Sequence, residues 1–349
     1  MKAPLKILII KLSAIGDVVH MLPVLESIHR CYPDASIDWV VERAAADLIE
    51  YHPLLRRVIV SDRKRWQKTL FSFAALKEIT SFVRAVRSEK YDIILDMQGL
   101  MKSGIITGLA RGGRKLGLGE SREGAGFFLT EKPAPVNFND HAIDRYMGIL
   151  KLLECSSVSY EGKVPITEED QNYIMKMFAD LNLGSRPVVG INPMAKWRSK
   201  LWYPERFISI ADRLISEFNC DVIFTGEEED RSYIDGIVNG MVHQAANIAG
   251  RTSLRELAFL YTKINFLITT DTGPMHIAAA MKCPVIALFG PTAPWRTGPY
   301  GEGHISLRSE ISCSPCYKRT CNKMLCMNDI TTEKVIGAVI SKLSLKQTT

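Results

Sequence analysis

At 349 residues, with 46% hydrophobic and 23% charged residues, the chain has an ordinary globular composition and is long enough for two domains. Its apolar runs fall well short of the roughly 18 residues that predict a membrane-spanning helix. The short N-terminal apolar run is followed by Lys11 and predicts a strand rather than a signal peptide, so we expect a cytoplasmic protein. The net charge of +6 suits anionic small molecules or an anionic membrane face, and is too diffuse to predict nucleic-acid binding.

The first half of the chain alternates apolar strands with helices. Pro23 suits the first turn of a helix that ends near Cys31. Strands are predicted at 6–10, 37–41, 58–60, 91–96 and 114–118, and further helices at 44–51, 72–89, after 96, and at 141–153.

The second half repeats this alternation, which predicts two doubly wound parallel sheets. Its strands are predicted at 188–192, 221–225, 247–249, 265–270 and 285–289, and its helices near 204–217, 229–239, 253–262, 274–281 and 332–343. We place an N-terminal domain at 1–165 and a second at 166–331, followed by a C-terminal helix at 332–349 that could pack back on the first. Ligands of such sheets bind beyond the carboxyl ends of strands, so functional residues are expected there.

The pattern of residues from 265 to 292 predicts a strand, a turn of small residues, a helix and a second strand. The turn Asp271-Thr272-Gly273 presents backbone N–H groups at a helix start, which predicts an anion site. His276 lies on the first turn of that helix. The alternative is a capped helix start with His276 merely packed against it.

Three motifs together resemble glycosyltransferase family 9, the ADP-heptose:lipopolysaccharide heptosyltransferases. They are the opening segment from Lys6 to Pro23, which contains Ser13-Ala-Ile-Gly-Asp17, the segment Asp271-Thr-Gly-Pro-Met-His276, and Phe289-Gly-Pro-Thr292. The resemblance spans nearly the whole chain. The segments at 37–42, 64–68, 96–103 and 141–145 look most similar to the type I members, which add the first heptose.

The resemblance implies a GT-B fold: two facing Rossmann-like domains with a cleft between them, an N-terminal one for the acceptor and a C-terminal one for the nucleotide sugar. It also implies an inverting, metal-independent transfer from ADP-L-glycero-β-D-manno-heptose to the Kdo region of Kdo-lipid A, at the cytoplasmic face of the inner membrane. A type II enzyme, a related family 9 enzyme and a non-catalytic lipopolysaccharide-binding protein remain alternatives. A sugar-nucleotide 2-epimerase is a further rival, and a dehydrogenase is disfavoured because no Gly-x-Gly-x-x-Gly follows the first strand.

Asp17 is the candidate general base, because an inverting transfer needs a carboxylate to take the acceptor's hydroxyl proton. Its alternative role is a helix N-cap. Lys200 is the candidate that neutralises the leaving diphosphate, with Lys196 and Arg198 as neighbours that could replace it.

The remaining site residues follow from position and resemblance. Glu228 or Glu229 would bind the ribose, and Thr252 would lie near the adenine or else cap the next helix. Asp271 would bind heptose hydroxyls or orient its turn. The acceptor side is assigned Ser13, Lys64, Arg65, Lys68, Arg122 and His141, with Trp66 indicating an interface; a solvated basic helix is the alternative.

The eight cysteines fall into two groups. Cys31, Cys155, Cys220 and Cys283 are predicted to be reduced, small hydrophobic residues. The other four form a cluster, Cys313, Cys316, Cys321 and Cys326. Three interpretations of this cluster are open: a structural metal site, a buried or disulfide-bonded loop, and a redox function.

Overall fold

The computed structural model describes residues 4–69, 72–119 and 121–344. The chain divides into two compact units, Met1–Pro165 and Ile166–Thr349, which we call the N-terminal unit and the C-terminal unit. None of the helices in the described residues is long and apolar enough to cross a membrane.

The N-terminal unit is built around a parallel sheet of five strands within the described residues, in the order β3-β2-β1-β4-β5. The strands are β1 (Lys6–Ile10), β2 (Ser36–Glu42), β3 (Arg57–Ser61), β4 (Lys90–Asp96) and β5 (Arg111–Gly117). The helices are α1 (Ile15–Val19), α2 (Leu22–Cys31), α3 (Arg43–Ala46), α4 (Arg63–Lys68), α5 (Phe73–Arg87), α6 (Met101–Leu109), α7 (Ala142–Met147) and α8 (Ile149–Leu152), with a 3₁₀ turn at Ala125–Phe128.

The C-terminal unit has a six-stranded parallel sheet among its described residues, in the order β11-β10-β9-β6-β7-β8. Its strands are β6 (Val188–Asn192), β7 (Asp221–Phe224), β8 (Ala246–Asn247), β9 (Phe266–Thr270), β10 (Val285–Phe289) and β11 (Ile305–Arg308). Its helices are α9 (Glu168–Asp180), α10 (Pro204–Ser216), α11 (Arg231–Asn239), α12 (Leu254–Lys263), α13 (Gly273–Ala280), α14 (Pro294–Thr297), α15 (Leu325–Asp329) and α16 (Thr332–Ser344), with 3₁₀ turns at Arg198–Lys200 and Glu228–Asp230.

The central strands are apolar because helices cover both faces of each sheet. Residues 7–10 of β1 and 285–289 of β10 are fully buried. The flanking helices begin at local signals: Pro23 stands in the first turn of α2, and Ser253 caps α12 with its hydroxyl. The predicted pair of doubly wound parallel sheets is therefore confirmed.

Local departures from the prediction have physical causes. The helix predicted at 141–153 is interrupted at Gly148, which separates α7 from α8. The helix predicted at 44–51 ends as α3 after one turn. Strand β11, at the edge of the sheet, and the short helix α15 were missed because each has only four or five residues and little periodicity.

Helix α16 contacts α10, β10 and β11. Its buried residues Val335, Ile336 and Val339 belong to the apolar core of the C-terminal unit. Up to Ser344 the last helix is therefore part of the core of the C-terminal unit; its packing on the N-terminal domain stays a prediction, and the end of the predicted segment at 345–349 lies outside the described residues.

Candidate active site

Asp17 lies on α1, directly beyond the carboxyl end of β1. One carboxylate oxygen, Oδ2, accepts the backbone N–H of Ala14 at 3.0 Å, and the other, Oδ1, accepts the hydroxyl of Tyr146 at 2.8 Å. Asp17 is therefore the third residue of the helix and bonds back to the N-cap backbone, rather than being the N-cap itself. Both donors fix the orientation of the carboxylate.

Tyr146, on α7, also contacts a buried lysine. The Nζ of Lys11 lies 2.7 Å from the tyrosine oxygen and 3.0 Å from the carbonyl oxygen of Met97, and it stands 4.3 Å from the centre of the tyrosine ring. Lys11 is 2% exposed. Neither residue was expected in the site from the sequence, although Lys11 is a charged residue at the end of an apolar strand.

Ser13 belongs to a second group of hydrogen bonds on the same loop. Its hydroxyl accepts the Nζ of Lys102 at 2.9 Å, and Lys102 also donates to Glu42 at 2.8 Å. The side-chain oxygen of Gln98 accepts the backbone N–H groups of Leu12 and Ser13, at 3.1 and 3.0 Å. These contacts join the loop after β1 to the carboxyl ends of β2 and β4.

The basic segment forms helix α4, in which Lys64 and Lys68 are exposed. Arg65 forms an ion pair with Glu78 on α5, so its charge is partly neutralised. Trp66 was expected at an interface, and this expectation was wrong: the ring is buried, packs against Phe82 and donates its N–H to Glu78 at 3.0 Å. Burial of Trp66 instead anchors α4 to α5 and directs the neighbouring lysines outward.

The two other acceptor candidates differ in setting. Arg122 is exposed, and its backbone N–H donates to the carbonyl oxygen of Gly99 at 2.7 Å. His141 caps α7, because its Nδ1 accepts the N–H of Ile143 at 3.2 Å. Its ring also meets that of His20 edge to face, with centroids 5.3 Å apart. His141 therefore has a structural role whether or not it binds an acceptor.

In the C-terminal unit, Lys200 and Asp271 form a direct ion pair. The Nζ of Lys200 lies 2.6 Å from Oδ2 of Asp271 and 3.3 Å from its backbone oxygen. Thr292, in the turn after β10, donates its hydroxyl to the same carboxylate oxygen at 2.7 Å. Asp271 is 5% exposed. The pair fixes Lys200 at the carboxyl ends of β9 and β10, because Asp271 acts as its anchor.

Lys200 is distinguished from its neighbours Lys196 and Arg198 by this anchoring. Its side chain is 14% exposed, whereas Lys196 and Arg198 are exposed. The Nζ of Lys200 lies 4.6 Å from the ring centre of Trp197, and the guanidinium of Arg319 lies 5.5 Å from the same centre. Both cations therefore border one indole on the loop after β6.

Helix α13 starts immediately after Asp271, with Thr272 as its N-cap. The backbone N–H groups of Gly273 and Met275 lie in the first turn, where the helix itself offers no acceptor. His276 is only 8% exposed, which leaves little of its ring for a ligand and favours the packed alternative. The groups of this turn that could bind an anion are therefore its backbone N–H groups together with Lys200.

Glu228 and Glu229 lie on the exposed 3₁₀ turn after β7. The carboxylate of Glu228 pairs with Arg231 at 2.9 Å, which lowers its pKa. Gly250 has φ of +71°, and a side chain there would collide with Glu228. Thr252 follows two residues after Gly250 and is partly buried. The N-cap of α12 is Ser253, so the alternative that Thr252 caps this helix is wrong.

The cysteines behave differently in the two units. Cys31 and Cys155 form a disulfide with Cα atoms 5.7 Å apart, so the expectation that both are reduced was wrong. The end of α2 and the loop after α8 meet in the fold, although the two cysteines are 124 residues apart in sequence. Cys220 and Cys283 are buried thiols, as expected.

Cys313, Cys316, Cys321 and Cys326 are free thiols. Backbone N–H groups of Cys316 and Tyr317 donate to the carbonyl oxygen of Pro291, at 3.0 and 2.8 Å. The cysteine segment therefore supports the turn that carries Thr292. Within the described residues, no group of three or more His, Cys, Asp or Glu side chains is arranged to hold a metal ion.

The sequence profile of glycosyltransferase family 9 (heptosyltransferase) matches residues 79–326. The chain belongs to glycosyltransferase family 9. The family 9 chain is 30% identical over 319 residues to lipopolysaccharide heptosyltransferase 1 of Pseudomonas aeruginosa, covering 91% of this chain and 87% of that protein. The predicted family and the predicted enzyme class, a glycosyltransferase, are confirmed.

Solved structures of the family have the same architecture. The family 9 chain resembles the E. coli heptosyltransferase WaaC with ADP at a TM-score of 0.79 and 25% identity, covering 97% of this chain and 100% of that one. A family 9 glycosyl transferase from Veillonella parvula, at 24% identity, has the same fold with a TM-score of 0.82 and 98% coverage of both chains. The predicted GT-B fold class is therefore confirmed.

Proposed function

We propose that this family 9 enzyme transfers L-glycero-D-manno-heptose from ADP-heptose to the Kdo region of the lipopolysaccharide inner core, with inversion at the anomeric carbon. The observation that carries the proposal is the Lys200–Asp271–Thr292 arrangement beside the start of α13, which suits a nucleoside diphosphate leaving group. The similarity to lipopolysaccharide heptosyltransferase 1 supports the choice of sugar and acceptor.

Asp17 is the proposed general base. A Kdo hydroxyl oxygen attacks the anomeric carbon, the bond from that carbon to the β-phosphate oxygen breaks, and the hydroxyl proton passes to the Asp17 carboxylate. The donors to this carboxylate include the Ala14 N–H and the Tyr146 hydroxyl, which are both neutral groups. The carboxylate therefore stays oriented while it retains lone pairs for the proton.

The donor diphosphate is proposed to bind Lys200 and the first turn of α13. An ammonium carries three N–H donors, and the contacts to Asp271 use two acceptors, so a phosphate oxygen can be bound as well. Negative charge that develops on the leaving ADP is stabilised by the cation and by the backbone N–H groups without a metal. Lys196 would add a second, exposed cation on the same loop.

The nucleoside is proposed to lie along the carboxyl ends of β7 and β8. Glu228 or Glu229 would accept ribose hydroxyls, and the backbone near Thr252 would border the adenine. The close approach of Glu228 to Gly250 supports Glu228 as part of this wall, and the exposed Glu229 is the more accessible carboxylate. Asp271 orients Lys200, which gives it a role other than sugar binding.

The anionic acceptor is proposed to bind the basic groups of the N-terminal unit. Lys64 and Lys68 project from α4, Arg122 is exposed, and Ser13 is held by Lys102 next to Asp17. Arg65 contributes less, because Glu78 already binds it. Kdo carboxylates and lipid A phosphates match such cations.

We also propose that the N-terminal unit docks on the anionic cytoplasmic face of the inner membrane. Phe73 is 85% exposed, Phe127 is 92% exposed and Ile105 is 48% exposed. The side chains of Met101 and Phe127 lie close together, on the same side of the backbone at Gly124. Exposed aromatic and aliphatic side chains are typical of a surface that enters the lipid headgroup region, and the exposed Lys64 and Lys68 of the same unit would favour an anionic membrane.

The test of the function uses ADP-heptose with two acceptors, Kdo2-lipid A and heptosyl-Kdo2-lipid A, and follows product mass and anomeric configuration. Transfer to the first acceptor alone supports the proposal, and transfer to the second alone indicates a type II enzyme. Binding of both acceptors without transfer would indicate a non-catalytic lipopolysaccharide-binding protein. Transfer is expected to persist after EDTA treatment, and its loss with restoration by an added metal would contradict the metal-independent mechanism.

Docking is tested by co-sedimentation with vesicles of phosphatidylethanolamine alone or with anionic phosphatidylglycerol. Phe127→Ser is expected to weaken binding to the anionic vesicles several-fold, because an exposed aromatic ring no longer enters the lipid. Val242→Ser is the matched control, since Val242 is 86% exposed in the C-terminal unit. Equal losses in both variants, or no binding by the unaltered protein, would reject this surface.

A further inference from the structure

We infer that Lys11 and Tyr146 form a positioning relay that keeps Asp17 ionised and oriented within the N-terminal unit. The inference rests on the proposed role of Asp17 as general base and adds two residues that act through it. The three side chains form one continuous chain of contacts: Lys11 to Tyr146 at 2.7 Å, and Tyr146 to Asp17 at 2.8 Å.

The direction of the hydrogen bonds follows from the chemistry of the groups. A lysine ammonium has donors and no acceptor, so the oxygen of Tyr146 must accept from Lys11. The hydroxyl hydrogen of Tyr146 is then directed to Asp17, whose carboxylate accepts it. The two hydrogen bonds therefore point in the same direction: Lys11 donates to Tyr146, and Tyr146 donates to Asp17.

Burial strengthens this arrangement. Lys11 is 2% exposed and Tyr146 is 6% exposed, so water screens their contact poorly. The cation polarises the phenol and makes its hydroxyl a stronger donor, which favours the charged form of the carboxylate. The ring of Tyr146 also lies 4.3 Å from the ammonium, which restrains both side chains.

The insertion of a tyrosine between the lysine and the aspartate has a catalytic advantage. A lysine bound directly to Asp17 would hold the carboxylate as an ion pair and would oppose its protonation. With Tyr146 between them, the cation lies one hydrogen bond further away. Asp17 is therefore biased towards the ionised form and remains able to accept a proton.

A small polar cavity adjoins the relay, and its lining includes Lys11, Tyr146, Asp96 and Gln98. Burial raises the pKa of Asp96, while hydrogen bonds from Gly99, Ser103 and Gln98, and the charge of Lys11, oppose that rise. Other titratable groups on or next to the described elements around α1 and α7 include His20, Glu42, Arg43, Asp47, Lys102, His141, Asp144 and Arg145.

The first test compares Tyr146→Phe, Lys11→Met and the double variant in transfer assays across pH. Loss of the hydroxyl donor raises the pKa of Asp17, so the acid limb of kcat is expected to move up by about one pH unit. At pH values below the midpoint of that limb, kcat of Tyr146→Phe is expected to be about tenfold lower than that of the unaltered protein. KM for ADP-heptose should change less than twofold, because the proposed donor-binding residues belong to the C-terminal unit. Lys11→Met should add little in the Tyr146→Phe background, because its effect passes through Tyr146.

The second test does not depend on activity. The carboxyl carbon of Asp17 is followed by ¹³C NMR in protein labelled at aspartate, and its signal is identified by its loss in Asp17→Asn. Its titration midpoint should rise by about one unit in Tyr146→Phe and stay unchanged in Tyr160→Phe, a partly exposed tyrosine of the same unit. Thermal unfolding of each variant checks that it is folded.

The outcomes separate the relay from the proposed function. A midpoint that does not move in either relay variant, or fully additive effects of the two substitutions, overturns the relay even if transfer is normal. A lower unfolding temperature with an unchanged acid limb assigns Tyr146 a purely structural role. If the unaltered protein transfers no heptose but the midpoint shifts as stated, the proposed function fails and the relay stands.

Discussion

Two aspartates lie beyond strand ends in the two units, and their surroundings are opposite in kind. Asp271 binds a lysine directly at 2.6 Å and is 5% exposed. Asp17 is partly exposed and accepts a backbone N–H and a phenol, and that phenol in turn joins it to Lys11. A carboxylate that only anchors a cation benefits from a direct ion pair, whereas one that must take up a proton is better held by neutral donors.

This contrast assigns the two residues different tasks despite their similar positions in the fold. Asp271 sets the place of Lys200, and its turn begins the helix at which the diphosphate is proposed to bind. Asp17 is proposed to bear the reacting charge itself. Substitutions at the two sites should therefore differ in size and in the kinetic constant that they change.

The largest effect is expected for Asp17→Asn. The amide keeps the size of the side chain but cannot accept the acceptor's proton, so kcat should fall by about 10³-fold. ADP affinity, measured by calorimetry, should change less than twofold. Activity near that of the unaltered enzyme would remove Asp17 from the mechanism and would make the two aspartates equivalent.

Lys200→Met should be the next most damaging change. Loss of the cation leaves the charge on the departing diphosphate unneutralised and leaves the buried Asp271 with a neutral donor, Thr292, and no cation, so kcat/KM should fall about 10²-fold. Lys196→Met on the same loop is the matched comparison, and about threefold is expected because that side chain is exposed. Equal losses in the two variants would show that anchoring by Asp271 is unimportant.

Thr292→Val should have a smaller effect. The valine keeps the shape of the side chain but removes the hydroxyl that donates to Asp271 at 2.7 Å. Lys200 remains paired, so KM for ADP-heptose should rise about threefold with kcat nearly constant, since one of two donors to the anchor is lost. A tenfold fall in kcat would instead indicate that Thr292 contacts the reacting groups.

Asp38→Asn should leave transfer unchanged and reduce stability. Asp38 lies early in β2, is fully buried, and pairs with Arg56 at 2.6 Å and Arg57 at 2.7 Å. Removing its charge from these partly exposed arginines should lower the free energy of unfolding by about 2 kcal/mol. Denaturant titration measures the loss of stability. Asp38 lies near the start of β2, whereas the candidate site lies beyond the carboxyl ends of the strands, so a matching loss of kcat would contradict the expectation that this ion pair only stabilises the fold.

Much of the fold follows from the sequence because strands buried on both faces leave a clear signal. The runs at 7–10 and 285–289 are apolar throughout, and the helices between strands carry an apolar stripe. The edge strand β11 and the helix end at Gly148 depend on packing between distant segments. The pairing of Cys31 with Cys155 also depends on tertiary structure, because 124 residues separate them.

The candidate site was predictable to a smaller extent. Asp17, Lys200 and Asp271 were found because each follows a strand within a motif. Tyr146 was missed because its contact with Asp17 spans 129 positions, and Lys11 was read as the end of a strand. Trp66 was misread because a tryptophan among basic residues looks exposed in sequence, whereas its ring packs on Phe82 from a helix that begins several residues later.

Trp197 makes the loop after β6 a natural fluorescent reporter. Its indole has the ammonium of Lys200 at 4.6 Å and the guanidinium of Arg319 at 5.5 Å, and both cations impose an electric field on the ring. The guanidinium of Arg206 lies 5.8 Å from the ring centre of Trp202 and that of Arg308 lies 5.1 Å from that of Trp295, so comparison with a Trp197→Phe variant isolates the signal of Trp197. A phosphate that draws Lys200 towards itself changes the field on Trp197, so the fluorescence of this one side chain should report occupancy of the donor site without any added label.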